Sequence, residues 1–250
     1  MKTNRRYGWH PSLKDKRTRK LLRTHLPVPS VVDWSSILPP CYEQSQLGSC
    51  TANAIAGAIQ FLQAVQKEPL VMPSRLFIYY NERVMEGTVD SDAGAEIMDG
   101  IKSVNKQGVC PESEWPYDES ALTTQPSPAC YTDASKELVL LYQSVDNTVL
   151  AALFEALVLG PVVGGFSVYD SFESDAVAAS GIVPMPNLAT ESVQGGHAIL
   201  VCGYDQTSLT FKCRNSWSPA WGMDGYFTIP FAYFVDPDLA SDFFLCQRLS

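Results

Sequence analysis

Histidine is scarce in this chain of 250 residues: His10, His25 and His197 are the only three. Two of them fall in a basic N-terminal stretch, so imidazole chemistry in the body of the protein has one candidate. The seven cysteines (Cys41, Cys50, Cys110, Cys130, Cys202, Cys213 and Cys246) include no closely spaced pair. With so few histidines, the ligand sets of a zinc site are missing. Neither a metal nor a cofactor is expected. No apolar run approaches the roughly 18 residues that cross a bilayer, so no membrane partner is expected. The opening MKTNRRYGWHPSLKDKRTRKLL also lacks the apolar core of about 7–15 residues that marks a secretory leader. That favours a cytoplasmic protein, or one exported by a route not visible in the sequence.

What is present fits a soluble globular protein: 46% hydrophobic and 18% charged residues. The net charge of −9 is unevenly spread. Residues 1–30 hold nine Lys or Arg against one acid, Asp15, whereas the rest of the chain is strongly acidic. Nucleic acid is a poor partner for such a body. A basic arm on an acidic body is expected to lie along its own protein, the alternative being a solvated tail. A monomer is expected.

Prolines 27, 29, 39 and 40 mark an extended connector, interrupted by VVDWSSIL. An alanine-rich helix is predicted from about Cys50 to Gln66, and a second over SRLFIYYNERVMEG with Ser74 as its cap and Gly87 at its end. AGAEIMDGIKSVNKQG and TVLAALFEALVLG read as two more helices, with a proline-rich loop bounded by Cys110 and Cys130 between them. The texture then changes to strands in PVVGGFSVY, HAILVCGYD, LTFKCRNSW, GYFTIP and DFFLCQRL. Helices first and strands later indicate an α+β fold of two lobes around a cleft. The boundaries expected are a basic arm at 1–30, a mostly helical lobe at 31–145 and a mostly β lobe at 146–250.

Cys50 sits on the first turn of its helix, after the loop EQSQLGS. A thiol there is either a small buried hydrophobe or a thiolate favoured by the helix N-terminus. His197 begins one strand and Asn215 ends the next, so a hairpin across Asp205–Ser208 brings them side by side. An amide in that place can hold the imidazole in one tautomer. Thiol, imidazole and amide then form a nucleophile, a base and its orienter. Gln44 and the Cys50 backbone N–H are candidate donors to a tetrahedral oxyanion.

The chain from Val31 to Ser250 resembles the papain-like cysteine peptidases. The motifs are VVDW, EQSQLGSC, GGHAILVCGYD and RNSWSPAWGMDGYFTIP, with 147 residues between Cys50 and His197. The resemblance implies a papain-like fold and an endopeptidase acting on peptides or proteins through Cys50, His197, Asn215 and Gln44. It makes Trp217 a shield over the His197–Asn215 bond and, with Gly94, Gly165 and Gly196, part of the substrate-binding surface. It implies a backbone-pairing turn at Gly94, and a roomy pocket for a large apolar side chain near Gly164, Gly165 and Ala198, beside Gly196. The sequence departs from the family at Leu47, Thr51 and Gly196, where a cysteine, a tryptophan and an Asp or Asn are usual. Propeptides of such enzymes block the cleft. The arm is shorter than those, yet Tyr7, Trp9 and Pro11 could anchor it over the cleft or as a remote strap. Two other functions compete. One is Cys-His acyl transfer or amidase chemistry, which usually orients its histidine with Asp. The other is a catalytically silent binding module. Cys110 and Cys130 bracket a loop that a disulfide could close, while Cys202 and Cys213 read as apolar fillers.

Overall fold

The computed structural model describes residues 6–13, 18–25 and 27–250. Lys2, Arg5, Lys14, Asp15, Lys16 and Arg17 of the arm lie outside the described residues. Helices α1 (Cys50–Gln66), α2 (Arg75–Glu86) and α3 (Ile97–Lys106) come first, followed by the short α4 (Pro128–Ala134). Strand β1 (Val31–Asp33) precedes them, and β2 (Val139–Val145) follows. Then come α5 (Leu150–Leu159), β3 (Val162–Tyr169), α6 (Asp175–Ser180), β4 (Val193–Asp205) and β5 (Thr210–Arg214). The chain closes with β6 (Tyr226–Pro230), α7 (Phe231–Val235) and β7 (Ala240–Leu249). The strands form one antiparallel sheet in the order β2-β7-β3-β4-β5-β6, with β1 against β4.

Local chemistry explains the helix ends. The Ser74 hydroxyl accepts from the Phe77 N–H at 3.1 Å, and Gly87 closes α2 in the left-handed conformation at φ 72°. Helix α1 is buried on every side as far as Gln63, because it runs between α2 and α3 on one flank and β4 and β7 on the other.

Strand β4 divides two cores by its alternation. Ala198, Leu200 and Cys202 face the helical side, whereas Ile199 and Val201 belong to a second cluster behind the sheet, which Tyr204 joins past an irregularity between Val201 and Gly203. That period of two sends the His197 side chain toward the second cluster and leaves Ala198 on the side of α1. Gly57 allows the close approach of helix and sheet: a Cβ there would stand 2.9 Å from Arg214 Nη1 and 3.2 Å from Leu200 Cδ2. Gly57→Leu is expected to cost about 1–3 kcal/mol through overpacking. A urea denaturation should show a lower midpoint at an unchanged slope. An unchanged midpoint would contradict the close packing.

Candidate active site

Cys50 is the first residue of α1, fully buried, with Ser49 at the N-cap. Backbone N–H groups of Ala198, Gly8 and Thr51 donate toward its sulfur and favour the anion. Burial outweighs them, helped by the buried Glu82, and pushes the thiol up to about 11. The helix-terminus argument from sequence alone therefore meets a stronger opposing effect in this covered state.

The loop before Cys50 is held from several directions. Gln44 exchanges backbone contact with the Asn215 block, its N–H donating to the Ser216 carbonyl at 2.9 Å, and Glu43 bridges Trp217. The Ser216 hydroxyl donates to Gln44 Oε1 at 2.5 Å, and Gln44 Nε2 donates to the Leu47 carbonyl at 2.9 Å. Tyr117 donates to the Gln44 carbonyl at 2.8 Å. Arg75, paired with Glu112 through two bonds of 2.8 and 2.9 Å, donates to the Glu43 carbonyl and to Asn53 Oδ1 at 3.0 and 3.1 Å. Its guanidinium lies 4.1 Å from the Tyr117 ring centre. Asp92 accepts from the Gly48 N–H at 3.0 Å and from Tyr79 at 2.6 Å. Sequence reasoning missed these supports. The one signal for Arg75 was a cation opening an otherwise buried helix.

His197 and Asn215 meet as the hairpin predicts, with Nε2···Oδ1 at 2.8 Å. The Trp217 ring stacks on His197 at 4.9 Å and 25°, and Phe166 and Phe172 approach it at 5.9 and 6.4 Å. This aromatic enclosure keeps water from the imidazole–amide bond, where low dielectric strengthens it.

The arm crosses this site. Tyr7 packs edge-on against His197 and Trp217, and the Arg6 carbonyl lies 3.5 Å from Gln44 Nε2. Gly8 is pressed on Gly48 so closely that a Cβ at Gly8 would stand 1.6 Å from the Gly48 carbonyl oxygen. The Trp9 N–H donates to the Gly196 carbonyl at 2.9 Å, and the Ala95 N–H donates to the Gly8 carbonyl at 2.7 Å. Carboxylates fasten the rest: Arg6 to Asp92 at 3.0 Å, His10 to Glu86 at 3.5 Å, Arg23 to Glu155 at 3.3 Å. Of the substrate positions expected from sequence, Gly165, Gly196 and Trp217 all touch the arm. At the Gly94 turn the backbone pairing is made one residue later, by Ala95, with Gly94 itself crowded against the Gly8 carbonyl.

All seven cysteines, including Cys110 and Cys130, are buried free thiols. Among the described residues one group of potential metal donors stands together, Cys110, Glu114 and Cys130, with ligand atoms within 4.8 Å of one another. No helix among the described residues is long and apolar enough to cross a membrane.

A cleft holding a buried helix-start thiol, an amide-oriented histidine and a clamped glutamine defines the class of cysteine hydrolases. The family model for papain family cysteine proteases matches residues 28–233, and the chain belongs to that family. It is a cysteine-type peptidase, a hydrolase acting on peptides. The crystal structure of xylellain, a cysteine protease from Xylella fastidiosa, superposes with a TM-score of 0.92 at 38% identity, covering 100% of this chain and 98% of that one. An uncharacterized peptidase C1-like protein of Acanthamoeba polyphaga mimivirus is 42% identical over 217 residues, 83% of this chain and 70% of that protein. Mouse pro-cathepsin H is 27% identical over 224 residues, and the chain spans 62% of its length. Procathepsin L 3 of Tenebrio molitor shares the fold at a TM-score of 0.75 and 18% identity.

Glu82 lies behind the site. The Thr51 hydroxyl donates to its Oε2 at 2.8 Å, while Oε1 is buried with no hydrogen-bond partner among the described residues. Burial raises its pKa well above 4.5. The folded protein therefore keeps a proton that the unfolded chain releases above that value. The neutral form's stability is complete below the unfolded pKa and is lost as pH rises toward the folded one, by about 1.4 kcal/mol per pH unit. Glu82→Gln is expected to gain on the parent progressively as the pH rises above about 5 in urea unfolding. A difference independent of pH would contradict a neutral buried Glu82.

Proposed function

We propose that Cys50 is the nucleophile of this peptidase, His197 its general base and acid, and Asn215 the group that orients the ring. The supporting observation is the joint held by Ser216. It ties Gln44 to the strand end that carries Asn215, while Ala198, next to His197, donates to the Cys50 sulfur. With the arm displaced, His197 takes the thiol proton, and thiolate and imidazolium stabilise each other. The sulfur attacks the peptide carbonyl. Gln44 Nε2 and the Cys50 N–H receive the oxyanion, His197 returns its proton to the leaving amine, and water hydrolyses the thioester. Acyl transfer is the weaker reading, because the orienting group is an amide and not a carboxylate.

Residues 1–30 act in this account as a cleft-covering arm on a peptidase domain at 31–250. In this reading, which the resemblance supports, residues that precede the scissile bond would lie at Gly94 and Gly165. A substrate chain would run from Gly165 past Cys50 toward Trp217. The arm runs the other way, from Tyr7 at Trp217 to Trp9 at Gly165. It thus covers the sulfur with the Gly8 N–H while running against the direction of a substrate chain.

The test is cleavage of a fluorogenic peptide amide under reducing conditions, from about pH 4 to about pH 8. A bell-shaped profile that vanishes in Cys50→Ala is expected, and cleavage persisting in that variant would overturn the assignment. Gln44→Ala should lower kcat by about 10²- to 10³-fold with the fold intact.

Gly8→Val cannot fit over Gly48, so it is expected to eject the arm and raise kcat/KM by about tenfold or more, by removing its covering contacts. Activity equal to that of the parent chain would count against occlusion.

A further inference from the structure

The arm also reports what the cleft is built to hold. Strands β3 and β7 pair in register at Val163 with Phe244 and again at Gly165 with Ser241, so β7 carries one extra residue between these pairs. Asp242 lies in that bulge at φ 62°, a left-handed conformation that Asp tolerates. Bulges of this kind re-aim a side chain beside an active site. Here the Asp242 carboxylate receives the Trp9 indole N–H at 3.2 Å and the Ser12 backbone N–H at 2.6 Å, both on Oδ2.

Trp9 is 6% exposed and lies over two glycines. A Cβ at Gly165 would come within 2.1 Å of the indole, and one at Gly196 within 2.7 Å of it. The slot is therefore wide and lined by backbone on one wall, with a carboxylate where the occupant's one polar side-chain atom sits. Both donors on Asp242 belong to the arm. When the arm leaves, a carboxylate remains beside an apolar floor without those partners, and an apolar occupant would leave it so, at a cost in free energy. Glu86 and Glu96 add negative charge at the mouth, where they hold His10 and the Leu13 N–H at 3.5 and 3.4 Å. Together with Asp242 they raise the His10 pKa, after its direct bond to Glu86.

We propose that Asp242 makes this pocket select a basic side chain, arginine above lysine, at the second residue before the scissile bond. A long apolar stem replaces the indole over Gly165, and a guanidinium meets the carboxylate with paired donors. The proposal rests on the peptidase reading of the cleft, and it departs from the large apolar residue that the glycines alone suggest.

Binding decides it apart from catalysis. The full chain carrying Trp9→Ala and Cys50→Ala is titrated calorimetrically with two peptides that differ only by Arg or Leu at that position. The Arg peptide is expected to bind about tenfold tighter, and the preference should vanish when Asp242→Asn is added. Asn keeps the shape and tolerates the same backbone conformation, so the fold is preserved. Equal binding of the two peptides, or an Arg preference that survives Asp242→Asn, overturns the proposal. Cleavage by the matching chain with Cys50 intact tests the other claim. An Arg preference in binding without cleavage of either peptide supports the pocket and sinks the peptidase assignment. Cleavage of both peptides at equal kcat/KM sinks the pocket alone.

Discussion

The structure depends on how closely helix α1 packs against strand β4. Small residues along the helix, Gly57 above all, let it sit within contact of Leu200 and Arg214. That packing places the first turn of α1 beside Ala198, so the thiol lies beside the strand that carries His197, which the structure starts four residues earlier, at Val193. The strand's alternation does the rest. One side of β4 belongs to the helical core, and the other sends the imidazole into an enclosure of Trp217, Phe166 and Phe172. Cys50 and His197, the proposed nucleophile and base, thus come from different cores that share one strand.

A second requirement is a rigid loop before the thiol. Backbone carbonyls of Glu43 and Gln44 are held by Arg75 and Tyr117, and the Gln44 side chain by Ser216 and Leu47. An oxyanion donor is useful when its position is fixed before reaction, because reorganisation then adds nothing to the barrier. The buried Arg75 is costly to desolvate, and its pairing with Glu112, Asn53 and two tyrosine rings offsets that cost.

Much of this was legible in the sequence where local rules act. The bounds of α1 and the Ser74 and Gly87 ends of α2 follow from apolar pattern and caps. The meeting of His197 with Asn215 follows from a hairpin whose turn is short. Strand β2 was not foreseen, because Val139–Val145 is half-exposed and its partner β7 lies a hundred residues on. The short α4, α6 and α7 are stabilised by their surroundings and not by length. The arm's charge suggested that it lies along its own protein, but nothing in the sequence marked the course of its described residues, which depends on two glycines meeting face to face at Gly8 and Gly48. Asp242 was hidden for a similar reason: a bulge is a property of two paired strands, and one strand's sequence does not display it.

The central claim is that the seated arm keeps the thiol neutral and that its departure releases a reactive thiolate. The most direct measurement is the rate of Cys50 alkylation by iodoacetamide against pH, followed by peptide mapping, in the parent chain and in Gly8→Val. The account predicts labelling of the parent at neutral pH about tenfold or more slower than that of Gly8→Val, with a further rise toward about 11, where the covered thiol ionises. It predicts fast labelling of Gly8→Val already at neutral and mildly acidic pH. Superimposable pH–rate curves for the two chains would contradict it.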